Sequence, residues 1–595
     1  MAKIRTGTSD RVFTIKSFLG VNESADGEAD LPLGMAKSMR NFKVTREGNL
    51  KIRPGYARWN KLGDGTVRCL WSGYVKGESV FLGICDGKLW EINGTSATEC
   101  GAVNDGSAHI FGFGGVAYIL AGGEYYKWDG TAVTIVEGYV PTVSVATPPA
   151  GGGTTLEPVN KLNSKRRQRF SPDGEAKAFQ LAEKDLLAVL SVEHEGGGTV
   201  PEWSPDLENG IVNFTTAPEK GTDCITITYD TGTADRSAVS GMRYSEIYGG
   251  TTDSRVFLYG DGSNRAIYSE IDGNGQPSAE YFPDLNVLTA GAANTPITGM
   301  IRHFSRLIVF KLDGAFSVAA STVTLADGTA TAAFYITPTQ RNVGNDALGQ
   351  VYLVSNNPRT VSSGAVYEWK SNSGTLSDDE RVVKRLSKNI EATMNGWDTQ
   401  ASICFDDERG MEWYVVNNGR AIVHNYETDS WYTYTNFPAV CMERHGEDLF
   451  FGTESGAIMR LSDEYRSDDG AAIDAYWESG AMAFNRDWQL KYSADMWVVM
   501  KPAGKSRVTV TALSNRDNVY AEREISASTG TSFGALDFGN FSFTANRAPK
   551  VHRIRIKVKK FTYYSLVFKC NSAEHTATIL GVDIKVRYTG DAKQR

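Results

Sequence analysis

The stretch ESVFLGICDGKLWEING, residues 78–94, holds two strand-like runs joined by the pair Asp86-Gly87. The first run is apolar, the second carries an aromatic residue, and a glycine ends the stretch. An Asp-Gly pair between two such runs is a strong signal for a β-hairpin. The stretch therefore predicts two antiparallel strands joined by a tight turn.

Similar units recur along the chain: an apolar strand, a turn, a second strand with an aromatic residue, and a break rich in Gly or Asp. Small antiparallel sheets repeated in this way are typical of a β-propeller, in which short protected edges replace a closed barrel. The repeats differ in length, so the number of blades stays open. They occupy residues 78–94, 109–130, 306–320, 349–370, 410–434 and 447–463.

Composition agrees with an all-β chain of several domains. Gly accounts for 61 of the 595 residues, and aromatic residues for 11%. The many Asp-Gly, Asn-Gly and Gly-Gly pairs are turn signals between short runs of Val, Ile, Thr and Tyr. A chain of this length is expected to form two to four units with cores of their own.

Two segments interrupt the repeats and set the expected domain boundaries. A Pro- and Gly-rich crossing at 136–158 leads into alternating strands, which predict a small inserted β-domain. Long alternating strands from about residue 474 predict a terminal β-sandwich. The expected units are an N-terminal hairpin with the first blades (1–140), the inserted domain with its linkers (141–240), the remaining blades (241–465) and a C-terminal β-sandwich-like domain (466–595).

One helix is expected within the third unit, near residues 377–396. Val382, Val383, Leu386, Ile390 and Met394 recur close to a 3.6-residue period. An N-cap at Ser377 and a stop at the Asn-Gly pair 395–396 would bound this helix.

Charge and cysteine usage restrict the functional classes. The chain has 62 basic and 70 acidic residues, a net charge of −8, and no extended basic arm, so high-affinity binding of nucleic acid is not expected. No signal peptide or apolar membrane span is evident. The seven widely spaced cysteines are interpreted as buried free thiols of a protein made in a reducing cytoplasm: Cys69, Cys85, Cys100, Cys224, Cys404, Cys441 and Cys570.

The sequence predicts no catalytic, cofactor-binding or metal-binding site. The Gly-rich stretches 112–115 and 151–153 lack the residues of a phosphate-binding loop, and the seven histidines are isolated. The carboxylate pairs Asp378-Asp379 and Asp406-Asp407 lie in turn-like surroundings. A solvated turn or helix cap is favoured for them over the acid pair of a glycosidase.

Two basic segments are candidate partner contacts. In HRIRIKVKKF, residues 552–561, Arg553, Arg555, Lys557 and Lys559 alternate with apolar residues, which places all four on one face of a strand. This ridge could meet an acidic partner or nucleic acid, but a solvated outer face or a subunit contact is favoured over both. The other segment is SKRRQRF, residues 164–170, with Arg166, Arg167 and Arg169 at the start of the inserted domain.

Several segments resemble one family of viral proteins. The segment MRNFKVTREGNLKIRPGYARW (39–59) is similar to the first strands of tail proteins from tailed bacteriophages, and GMIRHFSRLIVFKLDGAFSV (299–318) to one of their blades. RVVKRLSKNIEATM (381–394) and CFDDERGMEWYVV (404–416) resemble the elements that follow. RFSPDGEAKAFQL (169–181) and GIVNFTTAP (210–218) resemble the family's small platform-type domain. Together they indicate the tail nozzle family of short-tailed phages, also called tail tubular protein B or stabilisation protein.

This resemblance implies a structural protein of the virion tail, made in the cytoplasm of the host bacterium, and no enzymatic activity. It implies a ring of subunits, usually six, below the portal and adaptor proteins. Tail fibres or spikes are further implied partners. The ring retains the genome and conducts double-stranded DNA during ejection. The hairpin at 41–59 is then expected to supply the first strands of the propeller.

An alternative from another class is a glycan-binding or glycan-cleaving propeller of a tail tip or cell surface. The chain has 12 Trp and 26 Tyr residues, whose rings are suited to stacking on sugars. A propeller scaffold for protein contacts is a third interpretation. A pocket with two acids at a glycosidase separation would favour the enzyme.

Overall fold

The protein is described here by a computed structural model that covers residues 10–23, 31–250, 252–324, 330–371, 381–515, 520–529 and 548–591. It confirms the all-β prediction, with 57% of residues in strands and 2% in helix. The helical elements of the described part are α1 (Ser237–Ser240), a 3₁₀ turn (Ser387–Ile390) and α2 (Glu391–Asn395).

The chain begins with five strands that later join distant sheets. The hairpin β3/β4 turns at a glycine with φ +76°, where an added Cβ would lie 2.4 Å from the hydroxyl of Ser17. A side chain at Gly48 would therefore strain the backbone and require Ser17 to shift. The five strands are β1 (Asp10–Ile15), β2 (Ala36–Arg40), β3 (Phe42–Val44), β4 (Leu50–Ile52) and β5 (Gly55–Lys61).

Two four-stranded antiparallel sheets follow directly. Sheet 1 consists of β6 (Val67–Val75), β7 (Glu78–Cys85), β8 (Lys88–Asn93) and β9 (Ser96–Ala102). Sheet 2 consists of β10 (Ala108–Phe113), β11 (Val116–Ala121), β12 (Glu124–Trp128) and β13 (Val133–Ile135).

An inserted unit of two sheets comes next, within the range expected for the inserted domain. Its own core contains Phe170, Phe179, Val212 and Tyr229. The five-stranded sheet has the order β15-β14-β16-β21-β18, and the three-stranded sheet β17-β20-β19. The strands are β14 (Thr142–Thr147), β15 (Thr154–Thr155), β16 (Lys165–Phe170), β17 (Ala178–Gln180), β18 (Ala188–His194), β19 (Trp203–Asp206), β20 (Ile211–Phe214) and β21 (Ile225–Asp230).

Three more four-stranded antiparallel sheets follow the inserted unit, and sheets 6 and 7 after them belong to one 14-stranded sheet that continues through β2 into the C-terminal unit. Sheet 3 has β22 (Tyr244–Gly249), β23 (Thr252–Tyr259), β24 (Arg265–Tyr268) and β25 (Val287–Thr289). Sheet 4 has β26 (Ile297–His303), β27 (Arg306–Lys311), β28 (Gly314–Thr324) and β29 (Ala330–Arg341). Sheet 5 has β30 (Tyr352–Val354), β31 (Asn357–Ser362), β32 (Ala365–Ser371) and β33 (Arg381–Arg385). Sheet 6 has β34 (Ile403–Asp407), β35 (Glu412–Asn417), β36 (Arg420–Asn425) and β37 (Ser430–Thr435).

Sheet 7 takes its fourth strand from the N-terminal segment. Sheet 7 contains β38 (Cys441–His445), β39 (Asp448–Gly452) and β40 (Ala457–Ser462), and β5 pairs antiparallel with β40. The first strands of the seven sheets contact one another in the cyclic order β6, β10, β22, β26, β30, β34, β38 and back to β6. These contacts close a ring of first strands, whose centre we call the axis, and sheets 1–7 are together called the ring of sheets.

The C-terminal unit consists of two sheets with a shared core. One has the order β3-β4-β48-β43-β46 with β1 beside β48, and the other joins β2, β42, β47, β44 and β45. Trp477 and Phe568, on the second sheet, pack in the same core as Met496 and Ile554 on the first. The strands are β41 (Ser467–Asp468), β42 (Ala471–Ser479), β43 (Gln489–Met500), β44 (Arg507–Ser514), β45 (Arg523–Ser526), β46 (Lys550–Phe561), β47 (Tyr564–Ser572) and β48 (Thr578–Asp591).

The expected role of the N-terminal segment 41–59 is wrong for β3 and β4 and holds for β5 alone. Strand β3 pairs with β4, and β4 pairs with β48 of the C-terminal unit, not with a sheet of the ring. The following strand, β5, joins sheet 7, and the preceding strand, β2, pairs in parallel with β37 of sheet 6. The corner between β4 and β5 lies at Arg53-Pro54, where proline fixes φ and the chain leaves one sheet for the other.

The helix expected near 377–396 is also largely wrong. Residues 372–380, which include the expected N-cap Ser377 and the pair Asp378-Asp379, lie outside the described part. The valines at 382 and 383 belong to β33, where Val383 pairs with Trp369 of β32. Cross-strand packing and the β-branched side chains outweigh the helical spacing there. Only Ile390 and Met394 are buried in helical turns as expected.

A buried ion pair joins the ring to the C-terminal unit. The guanidinium of Arg53 donates to both carboxylate oxygens of Asp468 at 2.8 and 2.6 Å, and these side chains are 0% and 1% exposed. Arg53 also donates to the side chain of Asn41 at 2.9 Å and to the carbonyl of Thr435 at 3.0 Å. The ring of Tyr434 lies 5.3 Å from the guanidinium carbon. We call these five residues the Arg53 clamp.

Loss of one charge in this clamp is expected to be costly. Asp468→Asn leaves the buried guanidinium without its counter-charge, so the free energy of unfolding should fall by about 3–5 kcal/mol in urea titrations. Asp469→Asn is the matched control, because the ion pair of Asp469 with Arg58 is exposed (57% and 38%) and 3.8 Å long. The control should lose about 1 kcal/mol or less. Equal losses in the two variants would contradict the role assigned to the clamp.

Candidate functional site

A pocket lies on the axis of the seven sheets. It has a volume of about 230 Å³ and is lined by first strands and the loops beside them, which come from sheets 1, 2, 3, 5, 6 and 7. Its polar lining residues include Arg68, His109, Tyr244, Gln350 and Glu443. We call it the axial pocket.

Two titratable groups of the axial pocket are held uncharged near neutral pH. Burial raises the pKa of Glu443 from its ordinary 4.5 to about 8, although the backbone N–H of Arg444 donates to its carboxylate at 3.1 Å and partly opposes this. Burial lowers the pKa of His109 to about 4. Glu443 and His109 therefore add no charge to the lining of the pocket near neutral pH.

Three thiols also line the axial pocket: Cys69, Cys404 and Cys441. Burial raises the pKa of the Cys69 thiol to about 12, and it raises the pKa of the other two as well. Such thiols are poor nucleophiles, since the thiolate is the reactive form. All seven cysteines are free, but only Cys85, Cys404 and Cys570 are fully buried, so the expectation of buried thiols holds for three of them. Within the described ranges, no group of three His, Cys, Asp or Glu side chains is arranged to hold a metal.

Four histidines contact neighbouring sheets, and one of them, His424 of sheet 6, accepts from Arg359 of sheet 5 at 3.0 Å. His109 of sheet 2 contacts the hydroxyl of Ser245 in sheet 3 at 2.9 Å, and His445 of sheet 7 contacts that of Ser72 in sheet 1 at 2.9 Å. His303 of sheet 4 contacts the carbonyl of Asn356, beside sheet 5, at 2.8 Å. The histidines that are isolated in sequence thus link adjacent sheets through side-chain and backbone contacts.

The candidate contacts of the inserted unit are engaged within the unit. Arg166 pairs with Glu183, and Arg169 pairs with Glu195 at 3.1 Å. Arg167 donates to the carbonyl of residue 140 at 2.8 Å and lies over the ring of residue 139. Their strand, β16, is central in its sheet, and Arg166 lies on the side of Phe170 and the core. These arginines hold the unit to its linker and its neighbouring strands.

The second group lies on an open surface. Arg553, Arg555, Lys557 and Lys559 are all exposed on β46, while the residues between them are buried. The alternation predicted from the sequence is therefore present. Asp495 of β43 accepts from Arg553 and Arg555 at 3.1 and 3.3 Å.

The pair Asp406-Asp407 is not a solvated turn, contrary to expectation. Both residues lie on β34, and Asp407 is 4% exposed. Asp407 accepts from Arg444, whose Nη2 lies 2.6 Å from its Oδ1. Burial and the neighbouring Glu408 raise the pKa of Asp406 to about 7.

Sequence reasoning missed the axial pocket and its central carboxyl, Glu443. Glu443 lies in the short segment CMERH of β38, which carries no motif and stands far in sequence from His109 and Arg68. A repeat alignment that marked the first strand of every sheet could have grouped these positions, because first strands line the axis.

Comparisons with known proteins leave the family open. No family model matches the chain, and no curated protein matches it. Among solved structures, the computationally designed Ika8 protein is 8% identical with a TM-score of 0.32, over 68% of this chain and 99% of that chain. An exo-β-1,3-galactanase from Phanerochaete chrysosporium has 9% identity and a TM-score of 0.16, over 81% and 96%. The extracellular domain of a one-component system from B. thetaiotaomicron has 10% identity and a TM-score of 0.20, over 93% and 80%. Similarities this weak carry no argument about function.

Among the described residues, no helix has the length and apolar character needed to cross a membrane.

The buried carboxyl of Glu443 predicts a pH-dependent stability. The folded protein keeps a proton up to about pH 8 that the unfolded chain releases near pH 4.5, so rising pH favours unfolding in this interval. Relative to Glu443→Gln, the wild type should lose up to about 1.4 kcal/mol per pH unit between these values. Urea titrations across the interval measure the difference. The exposed-residue control, Glu454→Gln, should run parallel to the wild type, and a parallel Glu443→Gln curve would refute the assignment.

Proposed function

We propose that the chain is a structural protein of a bacteriophage tail, a nozzle subunit made in the host cytoplasm and incorporated into the virion. Copies of it, six according to the family resemblance, form a ring below the portal and adaptor proteins and offer contacts to fibres or spikes. The ring retains the genome and conducts double-stranded DNA during ejection. Its role is mechanical, without a catalytic step.

The proposed nozzle subunit has a specific architecture in each of its three units. The seven four-stranded sheets form a seven-bladed β-propeller, the inserted unit is the platform-type domain, and the C-terminal unit is a β-sandwich. The cyclic contacts between first strands support the propeller, since radial repetition of small sheets brings these strands together on the axis. The shared core of the two C-terminal sheets supports the sandwich.

The observation that carries the mechanical role is the way the N-terminal segment joins two units. The strand β5 completes sheet 7, while β3 and β4 join the C-terminal unit through β48. The Arg53 clamp is buried between these attachments. A subunit of a pressurised conduit needs such stiffness, because relative motion of its domains would open the ring.

The path of DNA under this proposal lies between copies. The axial pocket, at about 230 Å³, is far too small for a duplex, so the conduit is the axis of the ring and not the axis of the propeller. The net charge of −8 suits a surface along which a polyanion passes without sticking.

Electron microscopy and mass photometry of the purified protein, alone and mixed with the other virion proteins, test this function. The expected result is a ring with an axial hole, or a tube attached to the portal. Asp468→Asn should yield fewer or less regular rings than Asp469→Asn, because the first variant loosens the joint. A stable monomer that never joins the tail would refute the proposal.

A second candidate function is binding of a small glycan in the axial pocket. It is favoured by the uncharged state of Glu443 and His109 and by the rings of Tyr244 and Tyr352 in the lining. Calorimetric titration with monosaccharides tests it. The glycan candidate would be favoured if the protein binds a monosaccharide and loses that binding in the variant Tyr352→Ala. It would also require that the protein forms no ring of subunits.

A further inference from the structure

The strand β46 differs from the rest of the molecule in charge. Six of its twelve residues are basic and none is acidic, although the whole chain carries a net charge of −8. Burial alternates over residues 553–559, so the four basic side chains there project on the outer face while Ile554, Ile556 and Val558 are 3%, 4% and 0% exposed in the core. The basic residues are Lys550, Arg553, Arg555, Lys557, Lys559 and Lys560.

This strand is also the edge of its sheet. In the order β3-β4-β48-β43-β46, it pairs with β43 alone among the described strands. As far as the described residues show, its second edge therefore presents backbone N–H and C=O groups to an extended chain that lies beside it. The exposed Val551, at 61%, continues the same surface.

The basic residues of β46 are only partly neutralised. Asp495 is shared by Arg553 and Arg555, whose side chains stay 53% and 70% exposed. Lys557 and Lys559 have no ion pair or hydrogen bond within the described residues. Elsewhere on the same face, Lys585 and Arg587 are both paired with one aspartate, at 2.8 and 2.6 Å. The unsatisfied charge is thus concentrated at the edge.

We propose that β46 is a docking edge for an extended acidic segment of another protein, which adds to this sheet as a further strand. Main-chain hydrogen bonds along the edge supply the pairing, and acidic side chains at alternate positions face the basic ridge. Successive ridge residues stand about 6.6–6.8 Å apart, two strand rises, which is also the spacing of alternate residues in the added strand. Each acid then lies about 4.5–5.5 Å, Cβ to Cβ, from its basic partner.

The positive charge of β46 also indicates which partners it does not bind. Lysines on an exposed edge repel an identical edge, so two copies of β46 do not pair with each other. Nucleic acid would meet the same cations, but it makes no use of the open backbone edge, and the net negative charge of the chain opposes a long polyanion. The edge and the ridge together fit an acidic strand best. This surface does not depend on whether the chain forms a tail ring.

Fluorescence anisotropy with the full-length protein and a labelled dodecapeptide of alternating Glu and Thr tests the proposal. Wild-type protein should bind this peptide at about 0.1 M salt, where charges are screened beyond about 10 Å. A peptide of the same sequence with N-methyl groups at alternate amides keeps its charge but loses one hydrogen-bonding edge. It should bind at least about tenfold more weakly.

Variants of the protein test the charge. Lys557→Glu/Lys559→Glu should weaken binding by at least about tenfold through repulsion across the strand pair. Lys184→Glu/Lys220→Glu, a reversal at two exposed lysines of the inserted unit, makes the same change in net charge and should leave binding nearly unchanged. Circular dichroism checks that both variants are folded, and the N-methyl comparison requires no variant.

Three outcomes would overturn the proposal. Wild-type protein that fails to bind the peptide shows that the edge is not available. Equal binding of the N-methylated peptide shows a diffuse cationic patch without strand addition. Tighter binding of a single-stranded oligonucleotide of comparable length, with a steep salt dependence, shows a nucleic-acid surface instead.

Discussion

The architecture depends on a charge that has no access to water. The guanidinium of Arg53 is buried where the N-terminal segment leaves the C-terminal unit for sheet 7, and Asp468 supplies its counter-charge. A buried ion is tolerated only when its hydrogen-bonding groups are satisfied. Asn41 and Thr435 satisfy two of them, and each belongs to a different part of the molecule. Arg53 can therefore be buried only when three segments are placed correctly relative to one another. The clamp thus determines the geometry of the fold more than its free energy of unfolding.

Local signals predicted the sheets, while the connections between distant segments were not predictable. The pair Asp86-Gly87 specifies its hairpin because the turn requires those residues, whatever lies elsewhere. Nothing near β5 indicates that its partner is β40, since that pairing is between segments far apart in the sequence. The prediction of a helix near 377–396 was wrong for the same reason. The local sequence around Val383 allows both a helical and a strand period, and pairing with the distant Trp369 stabilises the strand.

The same difference between local signals and long-range contacts applies to the functional surfaces. The outward direction of Arg553, Arg555, Lys557 and Lys559 follows from the two-residue period of a strand and was predicted correctly. The engagement of Arg166, Arg167 and Arg169 depends on acceptors that the fold brings to them, and the sequence could not show it. The axial pocket was beyond prediction, because its lining is collected from six sheets and its carboxyl, Glu443, has no partner nearby in sequence.

Closure of sheet 7 by a strand from the chain's beginning has a consequence for biosynthesis. Arg53 and Asp468 are 415 residues apart, so at about 5–20 residues per second the ribosome needs about 20–80 s to deliver the second after the first. During that interval β5 has no partner, and an unpaired strand is prone to the wrong association. The N-terminal segment is therefore where a chaperone, or slow translation, would most affect the yield of folded protein.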